Sequence, residues 1–406
     1  MEQVEQNAKS GETGFRGLAD EDMASMWDEL ILSPSLSFEI VGQKEESKTE
    51  IEVIIGEGRD VKFPLLLSHP IFLDSNPMGK VNKSVRIALA YGAGITKTPI
   101  NIGEGILPEE SRISKKFDGD LILQWSPLRI GLDSNIIDKA KAMVIDIRRV
   151  NHPKKHTQGE LLERIQGKEG LIGGEVLGPM RHLDIYSPDD IKKHVELLRE
   201  ATGYDPPIIV KIPPANVYEG TKAALKADAD AVIIDSSLDP FSTLDSINGT
   251  YGGLLMGSIP PAVKAFKAAS AQKKGVKLLV SGGFRNGADI VKALALGVDA
   301  CGIVESATMA IGCNLCGECY NGNCESGIAT KDQQLRTKFS WKIAGKHLAN
   351  QINATKNDIE LLLNYLGIQD IKNLNQKHIT ALTYDAAAIT GVKLIGYDRE
   401  LPMWFH

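Results

Sequence analysis

The feature that most constrains this chain is an alternation. From Pro70 to Val304, short apolar runs are separated by amphipathic stretches. The runs are Ile71–Asp74, Gly94–Thr98, Leu121–Gln124, Met143–Ile147, Ile208–Ile212, Ala231–Asp235, Lys277–Ser281 and Ala300–Val304. Several are almost continuously hydrophobic, as strands buried on both faces must be. Successive parallel strands need crossovers long enough to be helices. Eight such units predict an α/β fold, a (β/α)8 TIM barrel with its functional residues at the strand C-termini. An open, doubly wound sheet is the competing architecture. Ser187-Pro188-Asp189-Asp190 predicts a helix start, with Ser187 as N-cap and proline in the first turn. Pro260 to Ala271 and Asn286 to Leu296 predict two more helices.

Around the barrel the sequence predicts an N-terminal extension over 1–66, with Phe38–Val41 and Ile51–Ile55 as a small hairpin. The barrel is expected over 67–311, a cysteine loop over 312–330, and a helical extension over 331–406. Helices are predicted at Asp358–Leu366 and Ala381–Ile389 within that extension. The 46 Lys and Arg against 52 Asp and Glu give a formal charge of −6, which offers nucleic acid no general attraction. No run approaches the ~20 apolar residues of a membrane span. The polar, acidic first residues lack the form of a signal peptide, so the expected location is the cytoplasm.

Four of the five cysteines fall in Cys313-Asn314-Leu315-Cys316-Gly317-Glu318-Cys319 and Cys324. Thiols crowded into one short loop suggest a metal, and thiolates favour iron–sulfur clusters or zinc. The run of cysteines resembles ferredoxin spacing, while a four-cysteine zinc site or unligated thiols are the rival readings. Cys301, on the last predicted strand, reads as a buried, inert thiol. Ser281, Gly282 and Gly283 follow the seventh predicted strand and open a helix, the position where barrels commonly hold a phosphate. A ligand-free tight turn is the plain alternative. Gln124 ends the third strand, where it could bond a ring edge. Lys211 interrupts an apolar strand, and a lysine is rarely buried unless paired. Pointing inward it would stabilise developing negative charge; otherwise it faces out or pairs with a carboxylate. Glu104 follows the second strand and would orient a ligand, unless it marks a surface turn. His182 and Asp184 read as a proton-transfer pair or as structural residues.

On these residues, roughly two thirds of the chain, from about Leu67 to Phe339, resembles the FMN- and Fe–S-binding domain of the glutamate synthase large subunit, in its short archaeal-type form. Ile100-Asn101-Ile102-Gly103-Glu104-Gly105 is similar to the family's Asn-Thr-Gly-Glu-Gly-Gly loop. Gln124 to Gly131 is similar to its Gln-x-x-Ser-Gly-Arg-Phe-Gly element, and His182 to Ser187 to its His-His-Asp-Ile-Tyr-Ser. Ser281 to Asp289 resembles its phosphate-gripping turn, Cys313 to Thr330 its cluster loop, and Thr390 to Gly396 its C-terminal end.

The resemblance implies FMN held by Gln124, Lys211, Ser281, Gly282, Gly283, Val304 and Glu305, with Glu104 and Lys211 catalytic. It implies an iron–sulfur cluster on Cys313, Cys319 and Cys324, with Cys316 as an added thiol that makes a 4Fe–4S cluster possible beside the family's 3Fe–4S. Electrons would pass from a reductase subunit or ferredoxin to the cluster, to FMN, and to an imine-type intermediate. The parent reaction joins ammonia and 2-oxoglutarate to give glutamate.

The chain departs from the pattern at its substrate strand. Asp146, Arg149 and His152 align with the family's Lys, Gln and Lys, and Arg148 and Arg149 offer replacement cations, with His182 beside them. Glu325 stands where the family commonly has proline. These changes suggest a relative acting on another substrate or amine, while a non-catalytic electron-transfer or scaffold subunit is the reading from another class. Met1 is followed by Glu2, so no N-terminal cysteine nucleophile is expected, and glutamine-derived ammonia would need a separate glutaminase subunit.

Overall fold

The computed structural model describes residues 2–11, 25–34, 49–74, 82–101, 103, 119–125, 132, 134–147, 182, 184–237, 255–316, 324–330 and 332–397. The strands, in chain order, are β1 (Leu30–Leu32), β2 (Val53–Ile55), β3 (Leu65–Leu67), β4 (Ile71–Leu73), β5 (Ile100–Asn101), β6 (Leu121–Trp125), β7 (Ala142–Asp146), β8 (Ile208–Ile212), β9 (Ala231–Asp235), β10 (Lys277–Ser281), β11 (Ala300–Ile303) and β12 (Ile379–Ala381). The helices are α1 (Glu2–Ser10), α2 (Lys83–Thr96), α3 (Ser134–Ile137), α4 (Pro188–Ala201), α5 (Val217–Lys226), α6 (Leu255–Ala269), α7 (Gly287–Ala295), α8 (Glu305–Ala310), α9 (Gln333–Lys338), α10 (Trp341–Tyr365) and α11 (Tyr384–Thr390). Strands β4 to β11 close into one barrel, each parallel to its neighbour, with β11 returning to β4. The fold is a (β/α)8 TIM barrel.

Alternation along each strand separates two hydrophobic sets. Phe72, Ile122, Ala142, Val144, Ile209, Ala231, Ile233, Leu279 and Ala300 form the interior, while Ile71, Leu123, Met143, Val210, Val232 and Val280 pack outward against the helices. The interior set also includes Val53, Ile55, Leu65 and Leu67 of the antiparallel β2–β3 hairpin, which stoppers the N-terminal end of the barrel. Its turn is tied down by Arg59, whose Nε donates to the buried Asp230 carboxylate at 3.0 Å; Arg199 donates to the same oxygen at 3.0 Å.

Five expectations are corrected. The second strand is Ile100–Asn101, and Gly94–Thr98 runs instead through the end of α2. That helix is apolar on most sides because it lies between the barrel and α10, so its last turn reads as a strand. It stops where Lys97 turns left-handed at φ 53°, just before Thr98 and Pro99. The hairpin partner of Val53–Ile55 is Leu65–Leu67, while 38–41 lies outside the described residues. Helix α6 begins at Leu255, with Pro260 and Pro261 inside it. In the C-terminal extension, Asp358–Leu366 is only the end of the 25-residue α10. Ala381 belongs to β12, which pairs with β1, and the final helix starts at Tyr384.

Local signals elsewhere match the structure. Ser187 caps α4 in a reciprocal capping box with Asp190, and Asn286 caps α7. Among the described residues, no helix is long and apolar enough to cross a membrane.

Candidate functional site

The parity that sends Ile122, Val144, Ile209, Ile233 and Leu279 inward also sends Gln124, Asp146, Lys211, Asp235 and Ser281 inward, one layer nearer the strand C-termini. Asp74, just past β4, and Asn101, at the end of β5, complete a polar layer at the barrel mouth. Lys211 is wholly buried and makes ion pairs with Asp74 at 2.6 Å and Asp235 at 3.1 Å. Asn101 donates to Asp74 Oδ1 at 2.8 Å and to Gln124 Oε1 at 3.2 Å, and Gln124 Nε2 donates to Asp146 Oδ2 at 3.2 Å. Hydrogen bonds and ion pairs thus connect the ends of β4, β5, β6, β7, β8 and β9. Among the described residues, the Lys211 cation sits among three buried carboxylates, and such charges persist in an interior only when paired. Lys211 therefore faces inward and pairs with carboxylates at once.

The turn after β10 stands on the other side of the mouth. Gly282 has φ 91° and Gly283 φ 74°, conformations that suit glycine. A side chain on Gly282 would strike the Ser237 backbone nitrogen at 2.4 Å, whereas one on Gly283 would meet nothing within 4 Å. Gly283 N–H donates to Glu305 Oε2 at 2.9 Å, so this turn already takes an anionic oxygen. Beneath it, the buried Ser281 hydroxyl has no hydrogen-bond partner among the described residues.

The helix behind the turn is less available to an anion than its sequence suggests. Gly287 N–H, in its first turn, donates to Asp358 of α10 at 3.4 Å, and Asp289 N–H donates to the Asn286 side chain at 3.1 Å. Burial pushes the Asp358 carboxyl up to about 6, against the smaller opposing effect of the Gly287 N–H. Arg285 is committed to Asp289 and to Asp28 of the N-terminal segment.

His182 lies under the β7 end. Its Nε2 donates to the Asp146 carbonyl at 2.9 Å, while its Nδ1 stands 4.0 Å from Asp184. Of the two readings of His182 and Asp184, the 4.0 Å separation does not make a hydrogen-bonded pair; Asp184 lies nearer His194, at 3.5 Å, whose Nδ1 accepts from Trp125 at 3.3 Å. Burial, the largest influence, holds the His182 imidazole below its ordinary pKa.

In the cysteine loop, Cys313 accepts the Leu315 N–H at 3.4 Å, Cys324 is buried and Cys316 is exposed. Among the described residues, no three His, Cys, Asp or Glu side chains converge as metal ligands, and Cys319 lies outside those residues. The chain after Cys324 is anchored to the start of α2 through Asn82, which donates to Gly327 O at 2.5 Å and accepts from Arg336 at 2.9 Å. Cys301 points outward from β11 into the core, and burial raises its thiol pKa well above the usual value.

Glu104, Arg148, Arg149 and His152 also lie outside the described residues. Val304 lies between β11 and α8, in the N-cap position of that helix. Asp74, Asn101 and Asp235 were not singled out by the sequence reading. Their signal is a polar residue ending an apolar strand at inward parity, as in Ile71-Phe72-Leu73-Asp74 and Val232-Ile233-Ile234-Asp235.

Residues 36–369 match a family model described as a conserved region in glutamate synthase. The chain is 30% identical over 371 residues to the archaeal-type glutamate synthase (NADPH) of Thermotoga neapolitana, covering 89% of this chain and 71% of that one. It is 30% identical over 421 aligned positions to a glutamate synthase large subunit-like protein of Rhizobium meliloti, covering 98% and 93%. Among solved structures, a lactate oxidase of Pediococcus acidilactici superposes with a TM-score of 0.57 at 14% identity, covering 94% of this chain and 87% of that one. At that identity the likeness speaks for the barrel fold.

Proposed function

This chain belongs to the glutamate synthase family of oxidoreductases, and on that premise we propose that it binds FMN at the barrel mouth and uses it to reduce an imine-type intermediate. The observation that carries the reading is the polar layer at the strand C-termini, where Lys211, Gln124 and Asn101 gather at the C-terminal end of a barrel whose other end is stoppered. The residues fit the cofactor. The mouth offers buried polar groups for a ring edge, the Gly283 N–H already donates to an anionic oxygen, and the buried Ser281 hydroxyl has no partner among the described residues.

FMN bound there would supply hydride transfer. Gln124, Asn101 and Lys211 would hold the ring edge, and Ser281, Gly282 and Gly283 the phosphate, with Val304 and Glu305 beside them. Glu104 would face the substrate. The β2–β3 hairpin excludes water from below, and the neutral His182 imidazole keeps its Nε2 proton against the Asp146 carbonyl. Cys313, Cys316, Cys319 and Cys324 form a soft donor set suited to an iron–sulfur cluster, which we propose as the electron entry from a reductase subunit or ferredoxin.

A second reading, a substrate or amine other than those of glutamate synthase, is favoured by Asp146. It is 2% exposed and places a carboxylate at the mouth, where the resemblance implies a lysine for a dicarboxylate. The test is reoxidation of the chemically reduced, FMN-loaded protein under anaerobic conditions. Return of the oxidised flavin band on adding 2-oxoglutarate with ammonium supports the parent chemistry. Return only with a different oxo acid or primary amine supports the second reading. No return with any such pair would sink both.

A further inference from the structure

The Gly282–Gly283 turn binds an anion of the chain's own. Gly283 N–H donates to Glu305 Oε2 at 2.9 Å, while three other amides of the segment are committed elsewhere: Gly282 N–H to Gly302 O at 3.1 Å, Arg285 N–H to Asp289 at 3.1 Å, and Gly287 N–H to Asp358 at 3.4 Å. Gly283 is also the residue whose α-carbon faces open space, since an added Cβ would meet nothing within 4 Å. Its N–H, in an exposed hydrogen bond to Glu305, is the amide that an incoming phosphate oxygen would use. Arg285, the cation of this segment, is held between Asp28 and Asp289. A phosphate reaching Gly283 thus meets a carboxylate already bonded there, and two anionic oxygens repel at that distance.

We propose that Glu305 is the specificity-determining residue at the anionic end of the cofactor site, where it competes with the FMN phosphate for the Gly283 N–H. The proposal rests on the FMN reading above. Its consequence is selective. A flavin's ring is bound at the far side of the mouth and is indifferent to Glu305, whereas its phosphate is opposed by Glu305. FMN therefore gains less over riboflavin, the same ring without the phosphate, than the glycine turn alone would give. Loading FMN requires the Glu305 side chain to turn away from Gly283.

The test is equilibrium titration of FMN and of riboflavin onto the full-length protein, followed by flavin fluorescence, for the unaltered chain, Glu305→Gln and Glu305→Ala. Glu305→Gln keeps a hydrogen-bond acceptor without the charge; Glu305→Ala frees the amide. The expected result is an FMN affinity raised about tenfold in Glu305→Ala, about 1.4 kcal/mol, and by a smaller factor in Glu305→Gln. Riboflavin affinity should not move. An unchanged ratio of FMN to riboflavin affinity in both variants overturns the proposal and leaves the FMN reading standing, as does weaker FMN binding in both. If neither flavin binds any of the three proteins, the FMN reading falls and the proposal falls with it.

Discussion

Lys211 is held from two sides by strand-end carboxylates, and its removal would leave Asp74 and Asp235 buried without their cation. Breaking a buried ion pair from one side typically costs ~3–5 kcal/mol. Lys211→Met should therefore lower stability by about that much in urea unfolding, beyond any effect on cofactor binding. A loss under ~1 kcal/mol would mean the triad carries no structural charge burden. Asp358 makes the opposite case. Its carboxyl is raised from 3.8 to about 6 by burial, so between those values the folded chain binds a proton that the unfolded chain releases. Stability therefore falls as pH rises from 4 to 6 and stays reduced above that window. Asp358→Asn should raise the melting temperature at pH 7, by the equivalent of ~1–3 kcal/mol, and give little gain near pH 4. An equal gain at both values would contradict this. Residue-level legibility was uneven. Lys211 stood out because it broke an apolar strand, whereas Asp74 and Asp235 looked like ordinary strand-end residues until parity placed them inside.

At the scale of elements, the C-terminal extension reaches the barrel through a close crossing of α2 and α10. A Cβ on Gly92 would lie 2.7 Å from Gly345 O and 2.8 Å from Leu348, and a Cβ on Gly345 would lie 2.8 Å from Ala88 O. Neither backbone contact can be relieved by a rotamer change. Gly92→Ala should thus cost ~1–3 kcal/mol through overpacking and make α10 more susceptible to limited proteolysis. Gly257→Ala, in α6, meets only Ile389 at 3.4 Å and should be neutral or slightly stabilising. Similar behaviour of the two variants would show that the crossing is not tight. The same crossing explains a misread element. Because α2 is covered on opposite faces, its sequence lost the polar stripe that marks a helix, and Gly94–Thr98 was read as a strand. Helix α10 was underestimated for the converse reason: only the stretch from Asp358 carries a clear apolar spacing, although burial runs from Ala344 to Leu363.

For the whole molecule, the barrel was legible because a parallel strand buried on both faces leaves a strong and local trace, repeated eight times. Seven of the expected strands lie within a residue of their observed ends, those that start at Ile71, Leu121, Ala142, Ile208, Ala231, Lys277 and Ala300. The polar layer was only half legible, because which residues meet across a barrel depends on register between strands far apart in sequence. That Asp146 pairs with Lys211 in register, while Lys211 bonds to Asp74 from a strand 137 residues earlier, is a property of closure rather than of any segment. The spacing of the cysteine loop suggests a donor set, and Cys319 lies outside the described residues. Fold, polar mouth and glycine turn together make flavin binding the central claim. Its most direct test is a titration of FMN onto the purified protein, with bound flavin read from fluorescence and the occupancy from the end point. The account predicts saturable, equimolar binding that Lys211→Gln weakens; a fluorescence that tracks free FMN throughout, without saturation, would contradict it.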